Sequence, residues 1–155
     1  MRKTKAKKRP LAPDPQFGDP LVTRFVNNLM YDGKKSTSYA VYYEAMERIQ
    51  KQTGESGHDI WKKAMENVMP GVEVRSRRIG GATFQIPTPI REERKLFLTI
   101  KWMILYARKR NGKSMGEKLA AELIAASKGE GAAVKKKEDT HKMAEANKAF
   151  SHFKV

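Results

Sequence analysis

The chain has 155 residues, 39% of them apolar and none of them cysteine. That length holds one ordinary domain with a real core, and the missing cysteines exclude disulfide scaffolds, thiolate zinc sites and cysteine nucleophiles. Lys and Arg number 32 against 17 Asp and Glu, a formal net charge of +15, so the folded surface repels itself until a polyanion neutralises it; phosphate backbones are the commonest such partner, and a nucleic acid is expected.

Residues 2–9 read RKTKAKKR, six basic residues in eight, and prolines at 10, 13, 15 and 20 follow. A like-charged run cannot pack against itself, so residues 1–18 are expected to form a basic extended arm, disordered in the free protein, with Arg2, Lys3, Lys5, Lys7, Lys8 and Arg9 available to phosphates. The alternative is a solubilising tail. No apolar run follows the basic stretch, so a signal peptide is not expected. The longest apolar stretch, Leu96 to Ala107, is broken by Lys101 and falls short of the roughly 20 residues a bilayer needs.

The first helix is predicted to open at Asp19-Pro20, an acid at the N-cap followed by proline at the first helical position. Leu21, Val22, Phe25, Val26, Leu29 and Met30 recur at helical spacing, and Gly33 is a natural stop. A second helix follows from a Ser36/Thr37 cap, with Val41, Tyr42, Ala45, Met46 and Ile49 on one face, and ends at Thr53-Gly54. The third starts near Ser56 and Gly57, turns Ile60, Trp61, Ala64, Met65 and Val68 inward, and stops at Pro70-Gly71.

The period then shortens to two. Val72, Val74 and Ser76 alternate with Glu73, Arg75 and Arg77; Gly80-Gly81 supplies a turn; Thr83, Phe84, Gln85 and Ile86 return. This is a β-hairpin over residues 71–89, bounded by Pro87 and Pro89. A lone ribbon is marginal in water, so it should rest on the helices or on a partner. The fourth helix begins near Arg91 and carries Leu96, Phe97, Leu98, Ile100, Trp102, Met103, Ile104 and Leu105; apolar almost all round, it is expected to be the central buried helix. The fifth starts from a Ser114 cap and buries Met115, Leu119, Leu123 and Ile124. Gly129 and Gly131 interrupt the chain, and a sixth helix from about Ala132 holds Val134, Met143, Ala146, Ala149 and Phe150. The fold class is mainly α: six helices and one protruding ribbon between the third and fourth, in one domain with helices one to three over 19–70 and four to six over 90–155.

Two junctions share a pattern, Asp32-Gly33-Lys34-Lys35-Ser36 and Arg108-Lys109-Arg110-Asn111-Gly112-Lys113-Ser114. In each, a glycine is expected to end one helix, lysines follow, and a serine caps the next; free N–H groups at the helix start, with adjacent lysine, form a phosphate site. Ordinary capping explains the glycine and serine but does not require lysine in both loops. On the ribbon, Arg75 and Arg77 fall on one face and Arg78 on the other, a placement suited to bidentate phosphate contacts or to guarding a strand edge. Phe84 fits first as a core contact under the ribbon, and otherwise as a platform for a splayed base. Arg94 and Lys95 at the start of the fourth helix join the binding set. Lys135, Lys136 and Lys137 open the sixth helix, with Lys142 further on; cations there oppose the helix dipole, and RNA phosphate would relieve them. A solvated helix end is the alternative.

Catalysis finds little support. His58, His141 and His152 show no metal-ligand spacing, and no phosphate loop, dinucleotide turn or nucleophile elbow occurs. No catalytic residue, metal, cofactor, small-molecule substrate or membrane partner is expected.

Four stretches carry a resemblance: DPxFGDPLVTRFVNNLMYDGKKSTSYAVYY at 14–43 (x being Gln16), ENVMPGVEVRSRRIGGATFQIPTPI at 66–90, ARKRNGKSM at 107–115 and KKKEDTHKMAEANKAFSHF at 135–153. In these the chain resembles the universal uS-seven family of bacterial small-subunit ribosomal proteins. The resemblance implies six helices with an extended ribbon, primary binding to the 3′ major domain of 16S rRNA, and nucleation of head assembly in the cytoplasmic 30S subunit. It implies a place between head and platform proteins, near the exit-site tRNA and the outgoing mRNA, toward which Arg75–Arg78 and Gly80, Gly81, Thr83 and Phe84 would reach. The 2–9 arm, Lys34-Lys35, the 108–113 loop and the 135–142 helix start would grip rRNA. Many members continue past the last helix, whereas this sequence stops at Val155, so contacts made through such a tail are not carried over. A DNA-binding architectural protein is the runner-up; it would display base-reaching side chains along one exposed helix, whereas positive charge here gathers in loops, at helix starts and on a ribbon, as an irregular RNA requires. A small RNA-processing enzyme is the third reading.

Overall fold

The computed structural model describes residue 4 and residues 9–153; Arg2, Lys3, Lys5, Lys7 and Lys8 of the expected arm lie outside the described residues. Six helices, α1 (Pro20–Leu29), α2 (Lys35–Thr53), α3 (Gly57–Val68), α4 (Glu92–Lys109), α5 (Met115–Ser127) and α6 (Ala132–Ala146), surround one core, and β1 (Val72–Ile79) pairs antiparallel with β2 (Ala82–Pro89) between α3 and α4.

The chain enters the body earlier than its charge pattern suggests. Asp14 is buried and its carboxylate accepts from the amides of Gln16 (3.0 Å) and Phe17 (2.8 Å) and from the Tyr43 hydroxyl at 2.6 Å. Phe17 then stacks on His58, ring centroids 4.7 Å apart, and His58 on Trp61 at 5.5 Å. Residues 14–18, placed in the arm by sequence, are thus pinned to α2 and α3. Asp19 caps α1 by accepting from Leu21 N at 2.8 Å. Val22, Phe25, Val26 and Leu29 face inward, while Leu21 stays exposed. Phe25, Tyr42 and Trp61 meet at 5.8–5.9 Å in edge-on or tilted contacts, an arrangement aromatic quadrupoles favour. Gly57 lets α3 start against α2: a Cβ there would sit 2.5 Å from the Met46 carbonyl oxygen.

The most enclosed helix is α5 rather than α4. It packs against α2, α3, α4 and α6, and Leu119, Leu123 and Ala126 are fully buried. Along α4, Phe97 and Leu105 remain 41% and 42% exposed. Lys101, one helical turn from each, keeps that stripe at the surface, and hydrophobic density alone did not reveal it.

The ribbon turns through Gly80 (φ 56°) and Gly81 (φ 89°), the paired positive values of a turn whose twist suits two strands. Pro87 and Pro89 lie within β2 instead of bounding it, opposite Val74 and Val72. With a two-residue turn those positions fall in the non-hydrogen-bonded pairs, so no ladder donor is lost. Ile86 is fully buried, and Phe84 packs against Phe150 (5.3 Å) and Phe153 (5.7 Å) beyond α6. The ribbon therefore rests on its own C-terminal segment. In α6 itself Ala133, Val134, Thr140 and Ala144 are buried, whereas Met143 and Ala146 face out; the helix ends at Ala146, so Ala149 and Phe150 lie beyond it, Ala149 exposed.

Candidate nucleic-acid interface

Folding brings the two lysine-bearing junctions to one end of the bundle. The Arg108 guanidinium donates to the Leu29 carbonyl at 3.1 Å and lies 4.0 Å from the ring centre of Tyr31, which is 63% exposed. Lys34, Arg108 and Lys118 border a common depression of about 360 Å³ with Tyr31, Val41 and Met115 on its walls. Lys35 reaches the Tyr39 ring at 5.8 Å, and Lys109 the Tyr106 ring at 5.5 Å.

The junctions are built differently from the expected pattern. α1 ends at Leu29, four residues before Gly33, and α2 starts at Lys35 with Lys34 in the cap position and no side-chain cap. Ser36 is exposed in the first turn and caps nothing. Lys35 N already donates to the Gly33 carbonyl at 2.8 Å, yet the start of α2 still meets its anion-binding description: an uncapped helix end with two lysines beside it. At the second junction α4 runs to Lys109 and Gly112 lies out in the loop. Ser114 does cap α5, accepting from Glu117 N at 3.1 Å, while Glu117 accepts from Lys113 N at 3.1 Å and the Ser114 hydroxyl donates to Glu44 at 2.9 Å. The protein's own carboxylates fill that helix start.

Arg110 turns inward. It pairs with Glu122, which has no exposed surface and also accepts from Ala133 N at 2.9 Å in the first turn of α6. The Glu122 carboxylate thus accepts one amide at the start of α6 while Arg110 balances its charge. Lys137 is likewise used internally, donating to the Asn67 carbonyl at 2.8 Å near the end of α3. Lys135 and Lys142 border a depression with Glu130, Glu138 and Asp139. Lys136 is half-buried beside them. This group sits among acids and is not joined to the paired loops.

A stretch that the sequence reading missed links the ribbon to the loops. Arg75, Arg91 and Arg94 border a cleft of about 990 Å³ between ribbon and α4, together with Glu92, Glu93 and Phe97. Phe97 is also a wall of two further depressions, one shared with Arg9 and Arg24 and the other with Lys101 and Arg108. A line of cations thus runs from the ribbon base across the exposed stripe of α4 to the loop end. Arg24, Arg91, Lys101 and Lys118 belong to it; their helical spacing put them beside named residues, but only the packing of α1 on α4 shows that they face one way.

On the ribbon, Glu73 holds Arg75 through its Nε and Nη2 at 2.9 and 2.7 Å and meets Arg94 at 3.5 Å. Lys95 is half-buried and paired with Glu92. Arg77 and Arg78 are exposed, as are Gly80, Gly81 and Thr83 at the tip. Among the described residues there is no group of acids and histidines able to hold a metal, and no helix is long and apolar enough to cross a membrane.

A family model described as Ribosomal protein S7p/S5e matches residues 1–148. The chain belongs to that family. It is similar to the small ribosomal subunit protein uS7 of Flavobacterium psychrophilum, 68% identical over 157 aligned positions, and of Cytophaga hutchinsonii, 64% identical over 154, each alignment covering 99% of both chains. The protein of that name from Amoebophilus asiaticus is 59% identical over the full length of both. The family is one of ribosomal structural proteins and not an enzyme class.

Proposed function

We propose that this protein is a primary binder of the 3′ major domain of 16S rRNA, nucleating head assembly in the small subunit. The observation that carries this reading is the continuous line of Arg75, Arg94, Lys101, Arg108 and Lys34 along the ribbon base, the outer stripe of α4 and the loop end. It bends across several elements and offers no single polar helix to a major groove, which favours an irregular RNA over duplex DNA. Lys35, Lys109 and Lys113 extend the grip at the loops, and the 2–9 arm adds charge. The ribbon, with Arg77, Arg78 and its Gly80-Gly81 tip, projects toward exit-site tRNA and mRNA in this reading, beside neighbouring head and platform proteins in the cytoplasmic ribosome.

Binding of the purified protein to a 16S 3′-domain transcript and to duplex DNA at matched salt tests it. Tighter binding to the transcript, with a steep salt dependence, is expected. Equal affinity for both nucleic acids would favour the DNA-binding alternative, and no turnover of the RNA is expected.

A further inference from the structure

Phe97 and Leu105 are the exposed large apolar residues of α4, and of the two only Phe97 carries a ring. The neighbouring Leu98 is 8% exposed and Ile100 1%, yet Phe97 is 41% exposed. The Arg94 guanidinium lies 5.3 Å from its centroid and the Lys101 ammonium 6.0 Å, one turn to either side along the helix. The ring is the wall common to three depressions, whose other borders include Arg9, Arg24, Arg91 and Arg108.

We infer that Phe97 is a stacking platform for one unpaired base of the RNA held along this cationic line, an inference that rests on the RNA-binding reading above. Intrahelical contact with Arg94 and Lys101 places the ring but does not cover it. An apolar protein surface fits poorly: Lys101 separates Phe97 from Leu105, and Arg9 and Arg24 stand beside Leu11, so apolar groups alternate with charges that a protein interface core excludes. That alternation suits a ribonucleotide strand, whose bases present π-faces while its phosphates seek cations. Glu92 and Glu93 line the cleft with the ring, and Glu93 also the depression shared with Arg9 and Arg24; directly against the ring face a neutral base is a better occupant than a phosphate.

Phe97→Ala, Phe97→Leu and Phe97→Trp in the full chain separate the outcomes, with binding to the 16S 3′-domain transcript measured across a salt series. Stacking predicts a loss of roughly five- to hundred-fold for Phe97→Ala. It also predicts a comparable loss for Phe97→Leu, retention for Phe97→Trp, and a salt slope unchanged in all three. Chemical probing of the complex should show at least one base protected by the parent protein and reactive with Phe97→Ala. Full affinity in Phe97→Leu would overturn stacking in favour of plain apolar contact, and full affinity in Phe97→Ala would remove the ring from the interface. Failure of the parent protein to bind the transcript would refute the RNA-binding reading itself, and the inference with it.

Discussion

Arg110→Ala separates internal struts from RNA contacts. The substitution takes the counter-ion from Glu122, a carboxylate with no solvent exposure. Breaking a fully enclosed pair in this way costs about 3–5 kcal/mol. Here Arg110 is 33% exposed and Glu122 keeps the Ala133 amide at 2.9 Å, which lowers the expectation to about 2–3 kcal/mol. In a chain of this size that is a fall in Tm of about 5–10 °C. Glu122→Gln keeps an acceptor for Ala133 and needs no counter-ion, so adding Arg110→Ala to it should cost less than about 1 kcal/mol. Urea unfolding of the four proteins in this cycle, with transcript binding measured on the same preparations, checks both halves. An Arg110→Ala protein that unfolds like its parent, yet binds RNA weakly and with a flatter salt slope, would refute the internal role.

Replacing Arg75, Arg77 and Arg78 together by Ala should weaken transcript binding and flatten the log–log salt slope, by up to about 0.9 per lost contact on the duplex scale, while helicity and Tm hardly change; a much earlier melt would make these arginines structural. Trp102, 9% exposed in the core, should cost about 3 kcal/mol or more when replaced by Ala, and an unaltered urea midpoint would contradict its burial. His58 has its pKa lowered, first by burial and then by Lys62, against the opposing pull of Asp19, Asp59 and Asp14. The folded state therefore resists protonation, so its contribution is full above the unfolded value of about 6.5 and is lost as pH falls through that value toward the folded pKa. Urea midpoints should drop over that acid window, and less steeply in His58→Phe, which keeps a ring between Phe17 and Trp61; identical profiles would refute the assignment.

The elements were legible because each carries its own local signal. Asp19-Pro20 and Ser114 start helices by capping, Gly80-Gly81 closes a two-residue turn, and the change from helical to alternating periodicity at Val72 marks the ribbon. Local signals failed where the deciding contact is distant. Ser36 has the chemistry of a cap, but the chain enters the helix a residue earlier at Lys35. Asp14 reads as one more polar residue among prolines until Tyr43, far along the chain, supplies its partner. Phe97 and Leu105 read as core because their neighbours are apolar, and only the way α4 lies on α1 and α5 turns them outward.

The same limit governs the cations. Helical spacing identifies partners one turn away, as with Lys95 and Glu92, but Arg110 finds Glu122 twelve residues on and Lys137 finds the Asn67 carbonyl seventy residues back. Both are used to join elements, so they stiffen the frame on which the exposed cations stand. Arg108 combines the two uses. Its bond to the Leu29 carbonyl and its seat over Tyr31 hold the guanidinium in place in the free protein, which in the proposed role would reduce the side-chain entropy lost on binding. Freely rotating lysines at the same loop would carry equal charge but pay that ordering cost in full. The cations across α4 are thus held by the same core contacts that hold the helices, and the charge they display is set by packing as well as by composition.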